Sequence, residues 1–279
     1  MRSRYPLLLI ALIPATSMAW DVGCKFKADR AAGIEAGGVE KVVIRAGAGD
    51  MKVVGRGNAV RIEARGVACA GKQEILDTTQ ISVRREGNVV YVETSLPQND
   101  VDWNQSSGDY AYIDLGIALP SSIPVDAIDS SGDATFEDLK ALALQDSSGD
   151  LTLTRIAGPT DVGDSSGDIE VEGAGSLRVR DSSGDIDADD VHGDVDVVLD
   201  SSGDIEIDGV DGNVRVEQDS SGSIRVENVK GNVTVDSDSS GDIYAGAVGG
   251  DFTVTEDSSG DIEHGAITGR ISVPKNKED

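Results

Sequence analysis

The chain has 279 residues, with 24 Lys and Arg against 51 Asp and Glu, and a formal net charge of −27. Such an acidic surface repels phosphate groups, which argues against nucleic acid and anionic membranes as partners and favours cations. Aromatic residues make up only 4% of the chain, so any hydrophobic core must be thin and built from aliphatic side chains.

Residues 1–19 are typical of a secretory signal peptide. Arg2 and Arg4 precede an apolar run from Leu7 to Ile13, and small residues follow at the positions that a signal peptidase reads. The run is too short to cross a bilayer, and no later stretch is apolar enough to do so. We therefore predict that the mature chain is exported to the periplasm or the cell surface and has no membrane span.

Cys24 and Cys69 are the only two cysteines. In an oxidising compartment an even pair predicts one disulfide, and closing a loop of this length adds about 4 kcal/mol of stability in the chain-entropy treatment. Two separate buried thiols are the alternative. A two-cysteine metal site has less support, because neither cysteine has a nearby residue of ligand type.

Residues 20–128 read as a β-rich segment that caps the rest of the chain. Val42 and Ile44 alternate with polar residues, and 81–83 followed by 88–92 predicts a hairpin. Residues 97–108 read as a polar loop, and the Ser-Ser-Gly-Asp phrase that ends at Asp109 is interpreted as a turn. This segment has nearly balanced charge, with 15 acidic and 12 basic residues up to Asp126.

Residues 129–273 consist of a repeat, and most of the negative charge lies there. The phrase Asp-Ser-Ser-Gly recurs eight times at intervals of 17 to 19 residues, and Asp follows its glycine in every copy except one, where Ser223 stands instead. The glycines are Gly132, Gly149, Gly167, Gly184, Gly203, Gly222, Gly241 and Gly260. Residues 274–279 form a polar tail after Pro274.

Each repeat unit predicts two short strands separated by turns. Ile205 and Ile207 would point inward from one strand, and Val214 and Val216 from the other. One unit has no core alone, but stacked units share a continuous one, with each strand paired in parallel to its equivalent in the next coil. The predicted fold is an all-β parallel β-solenoid of about eight coils, roughly 40 Å long, with a β-rich N-terminal cap.

The recurring phrase has two interpretations. In the first it only turns the chain, since glycine supplies unusual backbone angles and Asp accepts backbone hydrogen bonds. In the second, calcium binds between the two columns of carboxylates that stacking would create. No cofactor is required, and calcium is the one that the composition allows. Its candidate ligands are Asp146, Asp150, Asp164, Asp168, Asp181, Asp185, Asp200, Asp204, Asp219, Asp238, Asp242, Asp257 and Asp261.

The eight corners, together with the segments 39–53 and 111–125, resemble a bacterial putative-adhesin family of exported β-strand repeat proteins of unknown function. The resemblance implies a β-solenoid at the cell envelope and no catalytic residues. A weaker likeness, to the β-roll of repeats-in-toxin proteins, implies calcium at glycine- and aspartate-rich turns. Ser-Ser replaces the doubled glycine here, and the N-terminal export signal also differs from that second family.

Three functions follow from these patterns. The first is a non-enzymatic, adhesin-like exported protein that presents a rigid acidic surface to an envelope protein or glycan. The alternative is a calcium-binding structural rod, and the third is a polysaccharide-acting β-helix enzyme. His192 and His264, the only histidines, are interpreted as structural, and no nucleophile with a nearby base emerges, so we expect no catalysis. The oligomeric state is left open by the sequence.

Overall fold

The computed structural model describes residues 24–97 and 109–274, which form one sheet of 22 strands and one short helix. The all-β prediction is therefore confirmed. The expected signal peptide, most of the polar loop at 97–108 and the tail after Pro274 lie outside the described residues. Within the described residues, no helix is both long enough and apolar enough to cross a bilayer.

The first part of the described chain contains eight strands and the helix. Their bounds are β1 Phe26–Glu35, β2 Lys41–Arg45, β3 Met51–Arg56, β4 Arg61–Ala70, α1 Gln73–Thr78, β5 Gln80–Glu86, β6 Val89–Ser95, β7 Ala111–Pro120 and β8 Val125–Ile128. The predicted hairpin is confirmed as the antiparallel pair β5–β6. Strands β1, β4 and β7 form a second antiparallel group.

The repeat region contributes fourteen strands. They are β9 Ala134–Glu137, β10 Leu142–Gln145, β11 Leu151–Gly163, β12 Ile169–Arg180, β13 Ile186–Val191, β14 Val195–Leu199, β15 Ile205–Val210, β16 Val214–Val216, β17 Ile224–Val229, β18 Val233–Asp238, β19 Ile243–Val248, β20 Phe252–Asp257, β21 Ile262–His264 and β22 Ile271–Ser272. The two longest, β11 and β12, continue through a corner of the coil and so contribute to both sides of it.

Successive coils pair in parallel and in register, which confirms the solenoid. Ile205 pairs with Ile224 nineteen residues on, and Val214 pairs with Val233 in the same way. One ladder runs from β3 and β9 through the first halves of β11 and β12 to β13, β15, β17, β19 and β21. We call its outer surface the odd face. The other runs from β2, β8 and β10 through the second halves of β11 and β12 to β14, β16, β18, β20 and β22, and we call its outer surface the even face.

The parallel stack begins earlier than the first Asp-Ser-Ser-Gly phrase. Strand β2 pairs in parallel with β8, and β3 pairs in parallel with β9, so residues 41–56 form a coil of their own. Gly49 has a φ of 116° and donates its N–H to the carbonyl of Ser131 in the next coil. The later corner glycines up to Gly241 make the same contact, each with a serine of the coil that follows it. Of the remaining strands of the 20–128 segment, β6 and β7 pair with β2 and β3 of this stack, and β5, β4 and β1 extend the sheet beyond them.

Each coil buries three groups of aliphatic side chains. Ile205 and Ile207 fill one side and Val214 and Val216 the opposite side, all at most 1% exposed. Val210 supplies a third inward position, in register with equivalent residues of the neighbouring coils. Burying each such side chain contributes roughly 1.5–3 kcal/mol. The inward residue Val210 thus forms a short third side of the coil, and the apolar interior of the thin rod is closed on all three sides.

Cys24 and Cys69 form a disulfide, with 5.8 Å between their Cα atoms, as the sequence predicts. Cys69 lies on β4, where its backbone pairs with Lys27 of β1. The bond thus joins the start of the described chain to the antiparallel group at the N-terminal end of the stack.

The last coil has features that disfavour the pairing of a further strand with its open edge. Strands β21 and β22 have only three and two residues, and Pro274 follows them. His264 occupies the register position of the inward-facing Ala245 one coil earlier. Short strands, a polar group at an inward position and proline all oppose the addition of a further strand.

Close approach of the backbone at the corners requires glycine there. The corner glycines and Gly49 have φ between 113° and 143°, a region that other residues rarely adopt. A Cβ placed on Gly222 would lie 1.6 Å from the carbonyl oxygen of Gly203 in the preceding coil. The stacking distance is therefore incompatible with any side chain at this position.

We predict that Gly222→Ala lowers the free energy of unfolding by about 3 kcal/mol or more, because it adds both backbone strain and a clash with a neighbouring backbone. Gly57→Ala is the matched control, since a Cβ at Gly57 has nothing within 4 Å, and it should change stability by less than about 0.5 kcal/mol. Urea unfolding followed by circular dichroism measures both. Equal losses in the two variants would contradict the close-packed corner.

Candidate functional site

The Asp that opens each corner points into the rod. We call Asp129, Asp146, Asp164, Asp181, Asp200, Asp219, Asp238 and Asp257 the inward column, and all but the last are at most 6% exposed. In six of the eight corners, those of Asp146 and Asp181 excepted, one carboxylate oxygen accepts a hydrogen bond from a serine backbone N–H, at 2.8 Å from Ser130 to Asp129 and at 3.2 Å from Ser221 to Asp219. This contact is the Asx-type turn that the sequence predicts.

The corner serines connect each coil to the preceding one. The hydroxyl of the second serine donates to the carbonyl oxygen of the first serine one coil earlier, as from Ser221 to Ser201 at 3.1 Å and from Ser240 to Ser220 at 3.1 Å. The same contact recurs at Ser166 and Ser183. The two serines therefore have different roles, one as hydroxyl donor and one as carbonyl acceptor.

The Asp that follows the corner glycine is exposed and connects coils in a second way. We call Asp133, Asp150, Asp168, Asp185, Asp204, Asp242 and Asp261, with Ser223 in the missing place, the outward column. Except at Asp261, the Oδ1 atom of each aspartate in this column accepts the backbone N–H of the equivalent residue in the next coil, at 2.8 Å from Asp204 to Asp185 and at 2.8 Å from Ser223 to Asp204. Asp50 extends the column to the first coil, where it accepts from Asp133 at 3.2 Å.

Burial raises the pKa of the inward carboxyls well above the usual range. It raises the pKa of Asp129 and Asp200 to about 7, and that of Asp146, Asp181, Asp219 and Asp238 to about 6. Loss of hydration is the largest cause, because it disfavours the charged form. Neighbouring carboxylates add to it, whereas the serine N–H groups oppose it.

These positions bear directly on the calcium interpretation. The thirteen candidate ligands are divided between the inward column, which is mostly closed off from solvent, and the outward column, which is exposed. In the part of the chain that the structure describes, no group of three or more His, Cys, Asp or Glu side chains is placed to hold a metal ion. Calcium prefers six to eight oxygen ligands around one point, and this arrangement does not gather them.

A second concentration of carboxylates lies on the odd face. We call Glu170, Glu172, Asp187, Asp189, Asp190, Glu206 and Asp208 the acidic face; all lie on β12, β13 and β15. All of them except Glu206 border an open groove of about 460 Å³, which is also lined by Val171, Gly209 and Asn228. Within the described chain, Glu206 is the only one of the seven carboxylates with a basic side chain within 4 Å, namely Arg225 at 3.8 Å.

The charges within the acidic face disfavour one another. The pKa of Asp189 is raised, first by partial burial and then by Asp187 and Asp208. Asp208 accepts a hydrogen bond of 2.6 Å from the amide of Asn228, which is a neutral partner. This surface therefore keeps a dense negative charge.

The even face is different, because three of its acids are paired with arginines. Arg178 contacts Asp196 at 2.6 Å, and Arg215 contacts Asp236 at 2.7 Å. Asp161 also has a partner, Arg180, at 3.8 Å. The net charge of the rod is thus distributed unequally between its two long sides.

The acidic face was missed in the sequence interpretation, although a signal for it exists. Acids occupy both outward positions of the same strand in three consecutive units, Glu170 and Glu172, Asp187 and Asp189, and Glu206 with Asp208. An outward acid alone indicates only a solvated position. The repetition at one phase of the repeat is what places these side chains side by side.

The histidines are at exposed positions. His192 lies 3.8 Å from the carboxylate of Asp211, which also contacts Lys230 at 2.6 Å. The Nδ1 atom of His264 lies 3.1 Å from the carbonyl oxygen of Gly265. Neither geometry presents a base to a serine or another nucleophile.

The chain belongs to the Toastrack DUF4097 family, whose profile matches residues 36–277. No curated protein matches it. Solved structures of similar fold include a "putative adhesin" from Bacteroides fragilis, with 15% identity, coverage of 90% of this chain and 98% of that one, and a TM-score of 0.40. Another is a "putative lipid binding protein" from Parabacteroides distasonis, with 14% identity, coverage of 88% and 94%, and a TM-score of 0.40. Such distant likenesses assign no activity to this chain.

We predict that Asp204→Ala lowers the free energy of unfolding by about 1 kcal/mol more than Asp261→Ala does. Asp204 accepts the N–H of Ser223, whereas Asp261 lies in the last described coil and accepts no backbone N–H from a following one. Both substitutions remove one exposed charge from the same column, so their difference isolates the hydrogen bond. Chemical unfolding at fixed pH and salt measures it, and identical losses would show that the outward column does not connect the coils.

Proposed function

We propose that this member of the Toastrack DUF4097 family is a non-enzymatic, adhesin-like protein of the bacterial envelope or cell surface. Its rod presents the acidic face to a cationic region of an envelope protein or glycan. The observation that carries the proposal is the contrast between the two long sides, since the acidic face has a single arginine within 4 Å of one of its seven carboxylates and the even face pairs Asp161, Asp196 and Asp236 with arginines.

Electrostatics supports a cationic partner. Neighbouring strands lie about 4.8 Å apart, and at about 5 Å two like charges repel by roughly 0.8 kcal/mol in water. A partner that brings ammonium or guanidinium groups into the groove removes this repulsion and replaces it with attraction. Charge of one sign on one face also accelerates association with an oppositely charged surface.

Rigidity supports a presenting role. The backbone of every coil is held by strand pairing and by the serine and aspartate hydrogen bonds of the corner, so the carboxylates of the acidic face are fixed relative to one another. A rigid surface has little conformational entropy to lose when a partner binds. Between residues 129 and 274 the described strands are joined only by short turns, without the long loops that form a catalytic cleft on a solenoid.

Export is supported by two observations of different kinds. The first nineteen residues have the composition of a signal peptide, and Cys24 is bonded to Cys69. Disulfides persist in oxidising compartments such as the periplasm and the cell exterior. We therefore place the mature protein outside the cytoplasm.

If the acidic face is the binding surface, removing its charges should weaken the binding of a cationic peptide. The triple variant Asp187→Asn, Asp189→Asn and Asp208→Asn should bind an extended oligolysine peptide on the order of tenfold more weakly at low salt, because three attractive charges are lost. Biolayer interferometry on the immobilised mature protein measures this affinity and its dependence on salt.

The matched control is Asp161→Asn, Asp196→Asn and Asp236→Asn, which removes the same charge from the even face. This control should bind oligolysine nearly as tightly as the wild type does, because the carboxylates that it removes are already paired with arginines. If both triple variants lose affinity equally, the binding follows net charge and the acidic face is not a distinct surface. Turnover of any envelope glycan by the wild-type protein would contradict the non-enzymatic proposal.

A further inference from the structure

The inward column is a continuous line of buried carboxyl groups. Asp200, Asp219 and Asp238 are in direct register, with parallel backbone bridges from one to the next, and each is at most 1% exposed. The N–H of Asp200 donates to Gln218 and that of Asp219 to Ser237, so the backbone of the column is satisfied. The side chains are therefore stacked at strand spacing, about 4.8 Å, in a site closed to water.

Nine of the fourteen carboxylate oxygens of the seven buried aspartates have no hydrogen-bond donor within the described chain. They are Oδ2 of Asp129, Asp164, Asp200, Asp219 and Asp238, and both oxygens of Asp146 and Asp181. A buried polar atom without a partner costs roughly 1–3 kcal/mol, and more when it carries charge. The same unfavourable free energy recurs at seven corners, so we expect one compensating interaction that is available at all of them.

The groups that face the column contain no cation. Serine N–H groups of the same corner lower the pKa of each inward carboxyl. The other charged groups that act on it are carboxylates, either of the inward neighbours or of the outward column, and these raise its pKa. The outward carboxylates concerned are Asp50, Asp150, Asp168 and Asp204. Among the described residues, no Lys, Arg or His contributes to the charge environment of any buried inward carboxyl.

We propose that the inward column holds protons near neutral pH, so that successive carboxyl groups form a chain of acid and carboxylate and the rod takes up protons when it folds. A solvent proton adds to an otherwise unpartnered oxygen, forming one O–H bond. That O–H then donates to the carboxyl of a neighbouring coil. No electron transfer or further reactant is involved, and each proton removes a buried charge while supplying a missing donor.

This arrangement makes stability depend on pH in a defined direction. Burial raises the pKa of Asp200 to about 7 and that of Asp219 to about 6, so the folded chain keeps protons that the unfolded chain has already released. The stabilisation is complete below the pKa of aspartate in an unfolded chain, about 3.9, and is lost as the pH rises through 6 to 7. The free energy of unfolding should therefore be lower at alkaline pH than in mild acid.

Another corner of the same coils shows that a neutral group stacks well at this spacing. Asn213 donates from its amide to Asp194 at 3.0 Å, and Asn232 donates to Asn213 at 3.1 Å. The acceptor oxygens also receive backbone N–H groups from the next coil, at 2.7 Å and 2.9 Å. Asparagine therefore offers a permanent donor where the inward aspartates would need a proton.

The double variant Asp200→Asn and Asp219→Asn tests the proposal. Denaturant unfolding of wild type and variant between pH 4.5 and 8.5 gives the protons taken up on folding from the slope of stability against pH. The variant should take up about two fewer protons near pH 5.5 and be more stable than wild type at pH 8. The matched control Asp185→Asn and Asp242→Asn, which removes two charges from the adjacent outward column and keeps its acceptors, should retain the wild-type uptake.

A second readout detects the protons directly. The infrared C=O stretch of protonated carboxylic acid, which is separate from that of carboxylate, should be present in the wild type at pH 6 and weaker in the inward variant only. Absence of this band, or the same pH slope in the inward and outward variants, overturns the proposal. It is also overturned if calcium or potassium raises the Tm of wild type at pH 8 but not that of the inward variant, because the column then holds a cation.

Discussion

The fold depends on one constraint, the approach of consecutive coils at the glycine of each corner. The Gly222 N–H donates to the carbonyl of Ser240, while the position of its missing Cβ lies against the carbonyl of Gly203. Because no side chain fits there, the coils cannot shift relative to one another without breaking a contact at the corner. Register is thereby fixed for all three apolar positions of the coil.

Fixed register converts a repeated sequence into columns of identical groups, and for aspartate this is costly. The repulsion between stacked aspartates is reduced in a different way in each column and on each face. Outward aspartates such as Asp185 accept backbone N–H groups from the next coil and stay hydrated. Inward aspartates such as Asp200 lose their hydration, and burial raises their pKa. On the even face, arginines such as Arg178 balance the acids. The acidic face has no comparable compensation, which is why its charge is available to a partner.

The sequence was sufficient to predict the parallel stack, because Ile205 and Val214 follow a period of two within units of nearly constant length. It did not show that residues 41–56 form a coil, since the corner at Gly49 lacks the preceding Asp and serines. The role of the Asp after each glycine was also missed. Its partner is a backbone N–H some nineteen residues away, and such a contact leaves no local pattern. The face on which acids such as Asp187 gather depended on the same long-range register.

The scaffold and the proposed binding surface depend on different residues of each repeat, so they can vary independently. The corner needs its glycine, whereas exposed positions such as Asp187 and Asp189 lie on the strands outside it. Beyond β15, the position equivalent to Asp187 carries Arg225 and then Tyr244, with the Arg225 guanidinium 4.6 Å from the centre of the Tyr244 ring, and the position equivalent to Asp189 carries Glu227. Glu227 is paired with Arg225 at 2.8 Å, so the unpaired negative charge decreases beyond β15, while the corner glycines continue through Gly222 and Gly241. A solenoid built in this way can change the chemistry of one surface segment by substitution at a few outward positions without altering the contacts that hold its coils together.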